Sequence, residues 1–445
     1  MKDVSRRELL QTSLGLAATA GLAAGCTTTP KAAPNSASGK ATANDKIVLG
    51  FIGVAGRGSD LMSWFSAYDD VEIGAVCDVY APHRENALAL SGGTAKVYRD
   101  FRELLDQPNI DAVVIATPPH WHALMTVLAC EAGKDVYCEK PMCLTPVEGR
   151  AMVKAARANH RITQVGTQIH ASENYRRVVE TVRSGVLGPI SAVRTQLALN
   201  EAPGGIGHPP DTVPPSNLDW DLWLGPRPMM PFNPAKFEKG QFRYWSELSG
   251  NWLHEMGPHI VDLPYWALDL GAPKAVSAVG GKFVTNDIST IPDTLEVLFE
   301  FDDCIMTWSN MCANSQWPTL SSSGPGYSHL RIAFHGTNGT LTSNYSEHQV
   351  FPEGESLSER AQQTDSIPAS PGHGREFLDA VKSRRLCSCD VAYHYKVHLA
   401  LNLGDLAYRL GRKIHWDTEK EEVSDDREAN QLLQPDYRHP WRLPV

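Results

Sequence analysis

Residues 47–58 read Ile47-Val-Leu-Gly-Phe-Ile52-Gly53-Val54-Ala55-Gly56-Arg57-Gly58, and this stretch decides the fold. A short apolar run reads as a buried strand. The glycine-rich turn after it opens a helical pattern, Asp60-Leu-Met-Ser-Trp-Phe65. The dinucleotide fingerprint Gly-x-Gly-x-x-Gly would set glycines at 53, 55 and 58. The first makes the tight turn, the second lets backbone approach pyrophosphate, and the third lets helix meet strand. Here the middle position is Ala55, with Gly56 beside it. One methyl there crowds the phosphates, so the cradle should be slightly displaced. Strand before and helix after still suit an anion at the helix N-terminus.

Working outward, Val71–Cys77, Ala112–Ala116, Asp135–Cys138 and Arg161–Gly166 read as further buried strands. Helical patterns lie between them, around 82–90, 101–105, 121–132 and 146–158. Strands alternating with helices predict an α/β fold, a doubly wound parallel sheet over residues 46–168. A helix over 171–187 follows. Strand-like runs then come without intervening helices, at 190–199, 274–283, 294–301, 304–311, 329–334 and 339–344. They predict a second α/β domain over 169–412 with a large, mainly antiparallel open sheet. Helices at 374–383 and 391–411 close it, and 413–445 reads as a polar arm.

The ends and the charge narrow the class. The chain has 445 residues, with Lys+Arg 41 against Asp+Glu 51 and a net charge of −10. An acidic chain with no basic stripe argues against nucleic acid as a partner, because affinity for phosphate backbones comes from cations. Residues 1–26 contain Ser5-Arg6-Arg7-Glu8-Leu9-Leu10, an Ala/Leu/Gly-rich middle and Leu22-Ala-Ala-Gly25-Cys26. This reads as a twin-arginine-type export signal with a lipobox-like end, so the expected location is periplasmic or membrane-anchored through lipid on Cys26. Residues 27–45 are small and polar, a flexible linker. Cys77, Cys130 and Cys138 lie in apolar runs typical of inert buried thiols. The pair Cys387-Ser-Cys389 reads as coincidence rather than a metal site, and no metal is expected.

Asp78 closes the second strand, 20 residues past Gly58. A carboxylate there accepts ribose hydroxyls and repels a 2′-phosphate, which favours NAD over NADP. Lys140, in Glu139-Lys140-Pro141, follows the fourth strand. In an open α/β sheet that end faces the ligand.

Together Gly53…Gly58, Asp78, Thr117-Pro118-Pro119-His120-Trp121-His122 and Glu139-Lys140-Pro141 resemble the Gfo/Idh/MocA oxidoreductases over residues 46–412. The resemblance implies tightly bound NAD, a homo-oligomer (dimer or tetramer) and hydride transfer on a sugar, sugar derivative or polyol. It implies cofactor contacts from Gly53, Ala55, Gly56, Arg57, Gly58, Asp78, Thr117, Pro118, Trp121, His122, Glu139, Lys140 and Gln168. The family's acid-x-x-x-His signature maps onto Glu255 and His259 in Trp252-Leu-His254-Glu255-Met-Gly-Pro-His259-Ile-Val-Asp262, with Glu in place of the usual Asp. Four-residue spacing sets both on one helical face. Glu255 is then expected to orient His259 and raise its pKa as general base, with Lys140 stabilising alkoxide.

His254, His170 and Tyr175 are candidate substrate contacts, each with a structural alternative. Asp262 is expected to brace its helix, and His394 and His398, four apart, to lie on a helix surface. The loop Asn217-Leu-Asp-Trp220-Asp-Leu-Trp223 offers aromatic faces for a sugar or simply an anchor. Two other functions stay open on the same fold: an NAD-dependent glycosidase working by oxidation, elimination and hydration, and a non-catalytic sugar-binding relative. Lys140 favours the dehydrogenase, since the resemblance implies that the glycosidase branch lacks it. Retention of Lys140 and His259 argues against the third.

Overall fold

Six parallel strands form the first sheet, in the order β3-β2-β1-β4-β5-β6. They are β1 Ile47–Ile52, β2 Val71–Cys77, β3 Lys96–Tyr98, β4 Ala112–Ile115, β5 Asp135–Glu139 and β6 Thr163–Gly166. The computed structural model describes residues 46–315, 330–354 and 367–444. The expected export signal, the expected linker and Cys26 lie outside these residues. Every residue of β4, β5 and β6 is buried, as expected where helices cover both faces. The helices are α1 Arg57–Ser66, α2 Ala81–Leu90, α3 Phe101–Leu105, α4 His122–Glu131 and α5 Pro146–Ala158. Thr145 and Glu148 close a reciprocal cap on α5, which fixes the chain's exit from the Lys140 turn.

The second sheet has nine strands, β13-β12-β11-β7-β10-β9-β8-β14-β15. They run as β7 Ile190–Ala198, β8 Ala275–Gly281, β9 Thr294–Glu300, β10 Ile305–Met311, β11 Leu330–Gly336, β12 Gly339–Ser343, β13 His348–Pro352, β14 Ile414–Asp417 and β15 Glu422–Val423. Only β10 and β7 pair in parallel, so the sheet is mainly antiparallel as expected. The helices that bear on function are α6 Glu173–Arg183, α7 Trp220–Leu224, α8 Trp252–Ile260, α9 Asp262–Leu268, α10 His373–Ser383 and α11 Val391–Leu410. Among the described residues no helix is long and apolar enough to cross a membrane.

Segments from beyond residue 168 also pack on the first domain. Helix α10 returns to the parallel sheet, where Phe377 meets Phe65 and Tyr137 edge-on in one core. Arg375 pairs with Asp70 at 2.8 Å, and Arg384 Nη1 with Asp135 at 2.5 Å. The arm is anchored too: Trp441 packs against Phe101 and Trp121, and Arg438 donates to Asp221 and Gly225. Its aromatic ring packs on the first domain and its guanidinium on the turn after α7 of the second, which a polar average conceals. Trp220 and Trp223 stack on each other in the core, so the tryptophan loop is an anchor.

Candidate functional site

The site gathers at the carboxyl ends of β1, β2, β4, β5 and β6. Gly53 has φ +79, and a Cβ there would lie 2.7 Å from Thr117 N. A Cβ on Gly58 would lie 2.0 Å from Gly53 O. Both positions are closed to side chains, whereas a Cβ on Gly56 would meet nothing within 4 Å. The open side of the turn is therefore at Gly56, one residue beyond the fingerprint's middle position, as the Ala55 substitution suggested. Asp78 Oδ2 accepts from Val54 N at 3.1 Å, and Oδ1 accepts from Tyr80 N at 3.0 Å. This carboxylate holds the glycine turn and the entry to α2 together. Arg84 lies close by, donating to Asp78 O.

Arg57 Nε donates to Glu139 Oε1 at 2.9 Å, tying the start of α1 to the end of β5. Glu139 fits because Gly166 faces it: a Cβ there would sit 2.7 Å from Glu139 Oε1. Gln168, in the left-handed region, donates to Tyr137 OH and Gly166 O.

Lys140 Nζ reaches across to the second domain, donating to Glu255 Oε1 at 2.8 Å and Glu255 O at 3.0 Å. Arg243 stands 3.5 Å from the same carboxylate oxygen. Burial pushes the Glu255 carboxyl up, but Lys140 and then Arg243 outweigh it and hold it at about 2. His259 Nδ1 lies 3.1 Å from Thr167 O. A carbonyl accepts only, so Nδ1 carries the proton and Nε2 keeps its lone pair. Burial first, then the Lys140 cation, push the imidazole down to about 4.

This corrects the expectation for the pair. Glu255 and His259 share a helix face, yet Glu255 bonds to the cation across the cleft and a backbone carbonyl orients His259. Its pKa falls rather than rises, because burial and Lys140 outweigh the carboxylate.

Other expected contacts divide. Thr117 and Pro118 stay at the end of β4, beside Gly53. His122 is buried, its nitrogens 2.8 Å from Thr117 O and 2.7 Å from Pro141 O, a strut between two turns rather than a cofactor contact. Trp121 is buried as well: Nε1 donates to Trp223 O, and a Cβ on Gly225 would strike its ring. His254 turns to α11, with Nε2 3.0 Å from Asn402 Oδ1, so it does not face substrate. Tyr175 is fully buried against Tyr345, the core aromatic of its two readings. His170 is buried beside Asp262 under the Trp266 ring. His394 and His398 are fully buried, contrary to the surface expected, because α11 is packed on both sides. All eight described cysteines are free and buried.

Three site residues escaped the sequence reading: Thr167, Arg243 and Tyr345, whose ring lies edge-on to His259 at 6.2 Å. Only Thr167 had a signal, its place at the end of a strand whose neighbours carry the motif.

Comparison with known proteins follows the same division. Residues 47–167 match the Gfo/Idh/MocA model described as an oxidoreductase family, NAD-binding Rossmann fold. Residues 227–342 and 332–443 match two C-terminal domain models of the same family. The chain belongs to the Gfo/Idh/MocA family. Inositol 2-dehydrogenase of Salmonella typhimurium is 30% identical over 141 residues, 31% of this chain and 42% of that one. A glycosyl hydrolase family 109 protein of Shewanella sp. (strain ANA-3) is 32% identical over 205 residues, 43% of this chain and 45% of that one. The chain thus spans less than half the length of these family relatives. Among solved structures, the WlbA dehydrogenase of Bordetella pertussis, crystallised with NADH and UDP-GlcNAcA, has TM-score 0.62 at 18% identity, covering 84% of this chain and 99% of that one. Levoglucosan dehydrogenase with NADH and levoglucosan has TM-score 0.59 at 18% identity, covering 83% and 99%. Both likenesses are of fold.

Proposed function

We propose that this Gfo/Idh/MocA protein is an NAD-dependent oxidoreductase acting on a CH–OH group of a sugar, sugar derivative or polyol. One observation carries the reading: Lys140, held by Glu255, and His259, with one ring nitrogen bound and the other free, meet beside a glycine cradle closed to side chains. That cradle fits a dinucleotide. Gly53, Ala55, Gly56, Arg57 and Gly58 would hold its pyrophosphate and Asp78 its adenosine ribose. Thr117, Pro118, Glu139 and Gln168 would border its nicotinamide end. When bound, the nicotinamide supplies the hydride acceptor or donor.

The chain's own groups handle the proton. As hydride leaves the carbinol carbon, His259 Nε2 takes the hydroxyl proton. The Lys140 ammonium stabilises the developing alkoxide, and Glu255 keeps that ammonium in place. Reduction runs through the same groups in reverse. Purified protein, denatured, should release about one NAD(H) per chain, as one fingerprint implies. A screen of sugars and polyols by mass spectrometry should then find a product differing by two hydrogens. Protein that binds no nicotinamide nucleotide would overturn the reading.

A second reading rests on the family 109 match: transient oxidation, elimination of the aglycone, hydration and return of the hydride. It uses the same residues with no net redox change. Release of an aglycone from a chromogenic glycoside without added oxidant would select it.

The leader supports export of a folded holoprotein to the periplasm, with Cys26 lipidated. Mass spectrometry of the mature N-terminus tests this. Val279 on β8 and Phe283 just after it, each 70% exposed, support a homo-oligomer formed through the open sheet. Light scattering tests that.

A further inference from the structure

Behind the Thr167 turn lies a second cluster that the proposed reaction does not use. His170 follows β6, Asp262 opens α9, and Cys389 and His394 flank the start of α11. The Cys389 thiol, one Asp262 oxygen and one His170 nitrogen all lie within 4.8 Å of one another. His170 Nε2 is 3.3 Å from Asp262 Oδ1, and His394 Nε2 is 3.6 Å from Asp262 Oδ2. Asp262, Cys389 and His394 are fully buried, and His170 is 5% exposed.

We propose that Cys389, Asp262, His170 and His394 bind a zinc-type divalent metal ion. The first support is Asp262. Its Oδ1 accepts from Tyr393 OH and faces His170, but its Oδ2 has no hydrogen-bond donor. A carboxylate oxygen left bare in a dry interior is costly unless a cation meets it. Among the described residues no Lys or Arg pairs with Asp262; its ion pairs are with the two imidazoles.

The donor set is the second support. One thiolate and one carboxylate cancel a divalent charge, while two neutral imidazoles complete four ligands. Thiolate with imidazole selects a zinc-type ion over magnesium or calcium, which prefer oxygen. Bonds of about 2.0–2.3 Å in a tetrahedron set donors about 3.3–3.8 Å apart. His170 Nε2 to Asp262 Oδ1 falls in that range, while His394 faces the other carboxylate oxygen and would close on the His170–Asp262–Cys389 triad as fourth ligand. Cys389 and Asp262 are distant in sequence, and the close pair that Cys389 forms with Cys387 is not the one that meets Asp262. The sequence pattern therefore could not find the site.

Its position suggests its use. Thr167 Oγ1 is 3.6 Å from Cys389 Sγ and 3.1 Å from His394 Nε2, while Thr167 O accepts from His259. A metal here would pin the turn that orients His259, without touching substrate. His259→Ala should therefore keep the metal, so this inference and the proposed function can fail separately.

The test is metal analysis of the purified full chain, tag removed, after growth with zinc and dialysis against a weak chelator. About one zinc per chain is expected from one four-ligand site. Exchange with Co2+ should give tetrahedral ligand-field bands and a thiolate-to-cobalt charge-transfer band. That band should vanish in Cys389→Ser and survive in Cys387→Ser. Folded wild-type protein that retains no zinc and gives no cobalt band would overturn the proposal. So would a band that persists in Cys389→Ser. Should Cys389→Ser not fold, the wild-type measurements still decide.

Discussion

His259 and His394 sit on opposite sides of one residue. His259 takes the Thr167 carbonyl and His394 its hydroxyl, both at 3.1 Å. The cleft histidine has one nitrogen fixed by a carbonyl and lies near enough to Lys140 to feel its charge. The interior histidine faces a buried carboxylate and a thiol. On the proposed reading the same side chain, bonded to the same turn from two helices, serves proton transfer on one side and internal cohesion on the other. What differs is where the free lone pair points.

If that division is right, the largest effect of breaking the cleft side, apart from His259 itself, belongs to Lys140. Lys140→Met should lower single-turnover hydride transfer by about 10²–10³-fold, the cost of losing one donor to a developing oxyanion. Stability should fall too, since Glu255 is left with Arg243 at 3.5 Å as its remaining near cation. The double variant with Glu255→Gln should recover melting temperature but not turnover.

On the interior side the order should reverse. His254→Leu removes the partner of Asn402 and should cost about 1–3 kcal/mol of stability. The protein that remains folded should keep near-wild-type kcat. Denaturant melts beside kinetics decide, and a loss of kcat with unchanged stability would put His254 in the cleft.

Asp78→Ser should shift preference toward NADP by about tenfold or more, because the repulsive carboxylate goes and Arg84 already stands by. The ratio of kcat/KM for the two nucleotides measures it.

The smallest effect is in pH. His259 must be neutral to accept a proton, and its pKa lies near 4. Oxidation should therefore be insensitive to this group from pH 8 down to about pH 5 and fall below that. Glu255→Gln removes a nearby anion that favours the imidazolium, so its midpoint should move lower still. A midpoint near 6.5 would mean His259 is not held by burial and Lys140.

Much of this was legible because local pattern and physics agree. Ile47–Gly58 encodes strand, turn and helix in one run, and the glycine turn opens where Ala55 displaced it. Lys140 stood out by its place at a strand end, and His259 through the acid-x-x-x-His signature of the family the chain resembles. Partners were not legible. Glu255 looks like the orienter of His259 from its spacing, but Lys140, 115 residues away, takes it instead. Trp121, His122 and His254 look like cleft residues, yet Trp121 and His254 are claimed by a carbonyl and an amide from distant chain and His122 by the carbonyls of two nearby turns. Arg243 gave no signal, and the close pair Cys387-Ser-Cys389 does not name the partners of Cys389, since tertiary contact alone supplies their neighbours.

The central claim is that His259 accepts the proton while the structure stands without it. Single-turnover hydride transfer in His259→Ala, with bound NAD and melting temperature measured on the same sample, tests it most directly. The expected result is wild-type folding, retained NAD and a rate lower by about 10²–10⁴-fold, the contribution of a positioned general base. A well-folded, NAD-loaded His259→Ala protein that transfers hydride at near the wild-type rate would contradict it.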